Sequence, residues 1–341
     1  AAAADFGAAG EASLRAAGEV PRRPLPRAVD WRRRTPSVVT PVKNQGHCGS
    51  CWAVTATAAI ESLAAIETGT LYELSPQQIT SCAPNPRRCG GAGGCRGATV
   101  ELAFEYAAQA GLSSIRNYPY TSGITGETGM CNRHSPAVAI SGFRRLPSND
   151  PHAVMRQLLQ QPVKVSVAAG SFWLYSRGVF DGCPQDAILN HAVLLEGYGV
   201  VEGWNEDKVF YWLVRNSWGP SWGEAGYMRL RRYPGAEPSG IDTDPLVGSG
   251  CPGGPANITV FGACGLLTFP SHPAGARLLA SAEEKGGAAG GGAAQAQAEV
   301  RPHTIEQEDL EVAGLPTAAD GAAFLQHHEG GSDLRAGSGE L

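Results

Sequence analysis

The segment Gln45-Gly46-His47-Cys48-Gly49-Ser50-Cys51-Trp52 carries the most specific chemistry in the chain. A helical apolar pattern follows it, so Cys51 opens a helix that Ser50 can cap. Free N–H groups and the helix dipole at that end stabilise an anionic sulfur and lower the thiol pKa. Gln45 stands six residues upstream across two glycines, so its amide can fold back toward the sulfur. Beside the Cys51 N–H it would supply a second donor to an oxyanion. A nucleophile with an anion site is the equipment of covalent acyl transfer. The same Cys48-Gly-Ser-Cys51 run also reads as a redox dithiol or a simple local disulfide. The chain holds nine Cys, so eight can pair and one is left over.

Several elements must position that segment. Ala53, Ala56, Ile60, Leu63 and Ala64 recur at helical spacing as far as about Glu67, and Gly69 ends the run. Ser75-Pro76-Gln77-Gln78 reads as a capping box with Pro at the first helical position. Thr99 to Ala110 is amphipathic and stops at Gly111, and Asp150-Pro151 opens a helix to about Gln161. Beyond it Val163–Val167, Ala192–Gly199, Val209–Arg215 and Tyr227–Arg231 alternate or run apolar, as strands do. Helices first and strands second predict an α+β protein of two segregated halves. A cleft between such halves is a common place for an active site.

Composition bounds the rest. The chain has 341 residues, 43% of them hydrophobic, and a net charge of −5, which offers no electrostatic footprint for nucleic acid. No apolar run approaches the ~20 residues of a membrane span. All nine Cys and all seven Trp lie between Trp31 and Cys264. Residues 1–24 and 274–341 are Ala/Gly-rich and cannot bury enough apolar area to offset ordering. We therefore expect a folded unit over 25–273, an unstructured leftover at 1–24 and a disordered tail, with a short helix near 304–312. The chain opens without Met or a signal-like apolar run, as a processed or partial product would. Cys82, Cys89 and Cys95 have no His nearby, so no metal and no cofactor are expected.

Cys48-Gly49-Ser50-Cys51-Trp52 resembles the nucleophile segment of papain-like cysteine proteases, the family of the lysosomal cathepsins of L, K and S type. The resemblance extends to Val29-Asp30-Trp31, to residues 40–46, and to Gly94-Cys95-Arg96-Gly97. Tyr118-Pro119-Tyr120 and Cys264-Gly265-Leu266 also match, so it covers residues 25–273. It implies a two-domain fold, with a helical left domain over about 35–144. The right domain would be β-barrel-like, over about 145–271 plus 25–34, with the active site in the cleft between them. The family requires a His and an Asn downstream. His191 lies 140 residues after Cys51, and Asn216 lies 165 after it, displaced by a polar insertion around Val201–Lys208. Alone, His191 reads as a structural histidine and Asn216 as a turn residue; in this order and context the resemblance makes them the catalytic base and its orienting amide.

The resemblance implies an endopeptidase acting on polypeptides, with Cys51 and His191 as a thiolate–imidazolium pair. Gln45 and the Cys51 N–H would hold the oxyanion and Asn216 would orient the imidazole. Trp218 would shield that bond, a role compatible with a plain core aromatic. Gly97 and Ala98 would bind extended peptide backbone, although Ala98 stands where the family has a second glycine. The S2 pocket maps to Thr99, Val100, Ser166, Leu189, Ala192 and Phe269, which predicts apolar P2 residues. Trp222 maps to the primed side or is simply structural. No loop that would block the primed side is found between Cys82 and Cys95. Also implied are the disulfides Cys48–Cys95, Cys82–Cys131 and Cys183–Cys264. Only Cys89 and Cys251 are then unplaced, and an oxidising compartment favours a fourth bridge between them. A lysosomal, vacuolar or secreted monomer is expected, inhibited by its own prosegment and by cystatin-like proteins; residues 1–24 are too short to be that prosegment. Asn257-Ile258-Thr259 is a glycosylation sequon.

Overall fold

The computed structural model describes residues 24–132, 135–202, 207–279 and, for the backbone alone, 303–305. The first half is helical: β1 (Ala28–Asp30), α1 (Cys51–Thr68), α2 (Pro76–Cys82), α3 (Val100–Ala110) and α4 (Ser122–Thr125). Then come β2 (Val138–Ala139), β3 (Gly142–Arg145), α5 (Pro151–Leu158), β4 (Val163–Val167), β5 (Val179–Phe180) and β6 (His191–Glu202). The remainder is β7 (Lys208–Arg215), β8 (Tyr227–Arg231), β9 (Ser239–Asp242), β10 (Ile258–Phe261), β11 (Ser271–Ala274), β12 (Arg277–Leu278) and β13 (His303–Ile305). The fold is α+β, with helices and strands segregated as expected.

Nine strands form one sheet along the path β3-β11-β4-β6-β7-β8-β5, with β1 on β6 and β13 on β1. Its pairs are antiparallel except β5 with β8. The expected barrel-like closure is not formed: β3 and β5 end the path without meeting. β3 pairs with β11 throughout and sets Phe143 against Phe104 of α3, so it joins the sheet while packing on the helical half. The long strand β6 serves both halves, as its period of two allows. Val193 and Leu195 join the core under the sheet with Trp31, Trp212 and Val214. Ala192 and Leu194 join the helical core with Trp52, Ile60 and Phe104. Helix α1 is buried from Trp52 to Ala65. Its alanines let it lie against β6, where the Thr55 hydroxyl donates to the Ala192 carbonyl at 2.9 Å.

Local signals are realised unevenly. Asp150 caps α5 through Ala153 N–H at 2.7 Å, but α5 stops at Leu158, short of Gln161. Ser75 caps α2 through Gln78 N–H, yet the capping box is half made. The Gln78 amide turns away to the Gly111 carbonyl and Ser113 N–H, because those buried backbone groups need partners.

The expected boundary at residue 273 moves. Ala274 ends β11, β12 pairs with β2, and Leu279 N–H donates to the Ala137 carbonyl at 2.8 Å. Residues 303–305 are a strand on β1 rather than part of a helix or a disordered tail. A strand needs only backbone partners, which composition does not reveal. The rest of the tail expectation, at 280–302 and 306–341, lies outside the described residues, as does that for 1–23.

Candidate active site

Cys51 is the first residue of α1 and the one free cysteine among the described residues. Ser50 sits at the N-cap but makes no side-chain cap bond, contrary to expectation. Its hydroxyl pairs with Tyr120 Oη at 2.6 Å, and Tyr120 in turn donates to the Gln45 carbonyl at 2.9 Å. The Ser50 carbonyl takes the N–H groups of Ala53 and Val54, and those of Cys51 and Trp52 have no backbone partner among the described residues. Burial alone would raise the Cys51 thiol pKa. The charge and hydrogen bond of His191, with the N–H groups of Ala192 and Trp52, outweigh it and hold the thiol below its ordinary value. Burial likewise works against a charged His191, and the Cys51 thiolate and Asn216 overcome it and raise the imidazole.

The tautomer follows from Asn216. Its Oδ1 lies 2.8 Å from His191 Nε2 and also accepts the Ser217 N–H at 2.8 Å. A flipped amide would set an NH2 against that N–H, so Oδ1 must face the ring and Nε2 must carry its proton. Nδ1 is therefore the nitrogen left for Cys51. The Asn216 Nδ2 is buried without a partner among the described residues. Trp218 lies over this pair, its ring 5.2 Å from the imidazole and tilted by 34°.

Gln45 is held at three points. Its backbone N–H donates to the Ser217 carbonyl, its Oε1 accepts the Ser217 hydroxyl at 2.6 Å, and its Nε2 donates to the Cys48 carbonyl at 3.0 Å. One Nε2 proton remains for the cleft, beside the free Cys51 N–H. Gly46 is required here: its φ is +59°, and a Cβ would strike the Gly123 carbonyl. Ser217, which orients both Asn216 and Gln45, was missed by sequence reasoning; its adjacency to Asn216 was the available signal.

Cys51 and His191 open onto a cleft of about 1070 Å³ between the halves. Gly97, Ala98, Thr99 and Val100 line one side, and Ser166, Ala192 and Phe269 the other. Ala98 N–H and C=O make no hydrogen bond among the described residues, so an extended peptide can pair there. Leu189 is a correction. It is fully buried with Ala168, Ala187 and Val260, and Val247 and Ile258 supply the apolar wall on that side instead. Trp222 packs on Trp218 and Tyr175 and donates to the Phe172 carbonyl.

The cleft floor also carries a charge pair that the sequence did not disclose. Lys164 Nζ lies 3.0 Å from Glu101 Oε1, which also accepts the Ser271 hydroxyl. Burial disfavours the Glu101 charge, but Lys164 outweighs that and keeps its carboxyl below the usual range.

Four disulfides form: Cys48–Cys95, Cys82–Cys131, Cys183–Cys264 and Cys89–Cys251, the last with Cα atoms 4.0 Å apart. With Cys48 bonded to Cys95, a Cys48/Cys51 dithiol is not available. Asn257 is exposed just ahead of β10. Among the described residues no three His, Cys, Asp or Glu side chains come together as metal ligands would.

Comparison with known proteins bears on the chain as a whole. The model of the family described as papain family cysteine protease matches residues 25–248. Vignain of Vigna mungo is 42% identical over 216 residues, covering 61% of this chain and 55% of vignain. Chymopapain of Carica papaya is 41% identical over 212 residues, covering 62% and 56%. The bromelain protease from Ananas comosus, solved with the E64 inhibitor, has a TM-score of 0.56 at 36% identity, covering 73% of this chain and 99% of that one. Digestive procathepsin L 3 of Tenebrio molitor has a TM-score of 0.57 at 32% identity, covering 74% and 71%. The chain spans about half the length of the curated relatives it matches.

Proposed function

The chain belongs to the papain family of cysteine proteases, and from that premise we propose that it hydrolyses internal peptide bonds of polypeptides through a covalent acyl-enzyme. The observation that carries the reading is the Asn216 Oδ1 that holds protonated His191 Nε2 at 2.8 Å while the ring supports the Cys51 thiolate. The Cys51 sulfur attacks the peptide carbonyl carbon. The carbonyl oxygen becomes an oxyanion against the Cys51 N–H and the Gln45 Nε2. As the C–N bond breaks, the imidazolium gives its Nδ1 proton to the leaving amine. The neutral imidazole then takes a proton from water, the hydroxide attacks the thioester, and the released sulfur recovers the thiolate.

Val100, Ala192, Val247 and Ile258 give the S2 pocket an apolar lining, so Leu, Val or Phe is favoured over Arg at P2. Glu101 offers no free charge to an arginine, because Lys164 already holds it. The four disulfides suit an oxidising compartment, such as a vacuole or the exterior, and Asn257 is open to glycosylation. No described helix is long and apolar enough to cross a membrane. Control by a prosegment and by cystatin-like inhibitors belongs to the same reading, and similar solved proteins include proforms.

Labelling with an epoxysuccinyl peptide tests the assignment. One label per chain, on Cys51, with loss of peptide hydrolysis is expected. A folded protein that binds peptides yet takes no label and turns over no substrate would instead be an inactive homologue.

A further inference from the structure

Two loops that carry none of the candidate catalytic residues meet across the cleft. One precedes α3 and carries Cys89 and Gly90; the other, between β9 and β10, carries Gly248, Gly250 and Cys251. Cys89 and Cys251 are bonded, and Gly90 N–H donates to the Gly250 carbonyl at 2.7 Å. The backbones are in direct contact. A Cβ on Gly90 would stand 2.8 Å from the Gly248 oxygen and 3.0 Å from Ala98 C and Thr99 N. A Cβ on Gly248 would strike the Leu189 carbonyl and come within 2.9 Å of Asn190 Cα. Contact therefore runs unbroken from Ala98 on one lip, through Gly90 and Gly248, to Asn190 on the other, next to His191.

This bar is stiff. Asn85 Oδ1 accepts Cys89 N–H at 2.8 Å, and its Nδ2 donates to the carbonyls of Cys89 and Gly91. On the other side the turn Pro245–Val247 closes through Ser249 N–H on the Pro245 carbonyl. The disulfide makes the crossing covalent.

An extended peptide paired with Ala98 advances about 3.3 Å per residue. With P2 paired at Ala98, the next residue, P3, meets the bar, because Gly90 lies against Ala98 itself. We propose that the Cys89–Cys251 bar is a specificity determinant that limits the recognised non-primed stretch of substrate to P1 and P2. A longer chain must turn out to solvent past P2, and P3 and P4 add no binding. The inference rests on the peptidase reading above and deepens it.

The test compares two fluorogenic amides with Leu at P2 and a common P1, one an acyl dipeptide and one an acyl tetrapeptide. In the wild type, kcat/KM should differ less than threefold between them. In the double variant Cys89→Ser/Cys251→Ser the tetrapeptide should gain at least tenfold over the dipeptide. A tenfold gain on extension in the wild type, or no gain in a folded double variant, overturns the proposal. A readout on the wild type alone guards against a variant that fails to fold. Cleavage of a random peptide library should select residues at P2 and none at P3 or P4, and selection at P3 or P4 would sink the bar. Turnover of both amides alike in wild type and variant rejects the bar alone. Turnover of neither by the wild type, with no label on Cys51, rejects the peptidase reading as well.

Discussion

At the residue scale the site is a contest between burial and pairing. Burial opposes both charges of the Cys51–His191 pair, and each charge holds the other in place. The thiol is shifted down and the imidazole up, so the ion pair exists between those two pKa values. A bell-shaped kcat/KM against pH is expected, falling on the acid side as Cys51 protonates and on the alkaline side as His191 loses its proton. Asn216→Ala removes one group that raises His191, so the alkaline limb should move to lower pH; an unmoved limb in the rate profile would contradict the role given to Asn216. Cys51→Ala should lose activity by about a thousandfold or more while keeping the wild-type thermal transition, since its sulfur bonds no other cysteine. Much of this was legible in the chain, because Gln45, Cys51, His191 and Asn216 are chemically distinctive and lie in recognisable segments. Ser217 was not, since a serine's value here depends on two partners that folding brings together.

At the element scale, strands and loops decide what the cleft accepts. β4 points Lys164 at Glu101, the first turn of α3, beneath the S2 wall. Lys164→Met would leave Glu101 without its partner in the pocket. The ratio of kcat/KM for Arg over Leu at P2 should then rise by about tenfold, the ~1.4 kcal/mol of one modest charge contact. A flat ratio across fluorogenic dipeptides would remove Glu101 from the pocket's chemistry. The end of the folded unit is also set by elements. A chain ending at Pro273 loses the bonds of Ser141 N–H to Ala274 and Gly275 and of Leu279 N–H to Ala137. At about 1 kcal/mol per bond it should be about 2–4 kcal/mol less stable in urea than a chain ending at Leu279. Composition placed the boundary too early, because Ala, Gly and Arg look like tail residues until a neighbouring edge such as β2 offers them hydrogen bonds.

At the scale of the whole molecule the two halves are tied by buried charge. Glu61 of α1 accepts from Lys43 Nζ at 2.7 Å, from the Thr40 hydroxyl and from Leu74 N–H. Thr40 also accepts from Arg215 of β7, which pairs with Glu196 of β6 at 3.1 Å, and Tyr227 of β8 donates to Glu196. Glu61→Ala would strand Lys43, only 8% exposed, in the seam. Denaturation should show a loss of about 3–5 kcal/mol, the usual cost of breaking such a pair from one side. A loss below 1 kcal/mol would mean that water reaches Lys43.

What the chain alone determined was much of what depends on residue type in local order. The free cysteine at a helix start, the helical-then-strand sequence of elements and the set of cysteines all belong here, because neighbours in sequence impose them. The tertiary structure decided what depends on distant backbones meeting. The sheet stays open, β3 joins the strands, Leu189 is covered and Val247 takes its place, and the two glycine-bearing loops close over the cleft. Those outcomes turn on which edges find partners and which surfaces exclude water, and neither is a property of any one stretch of sequence.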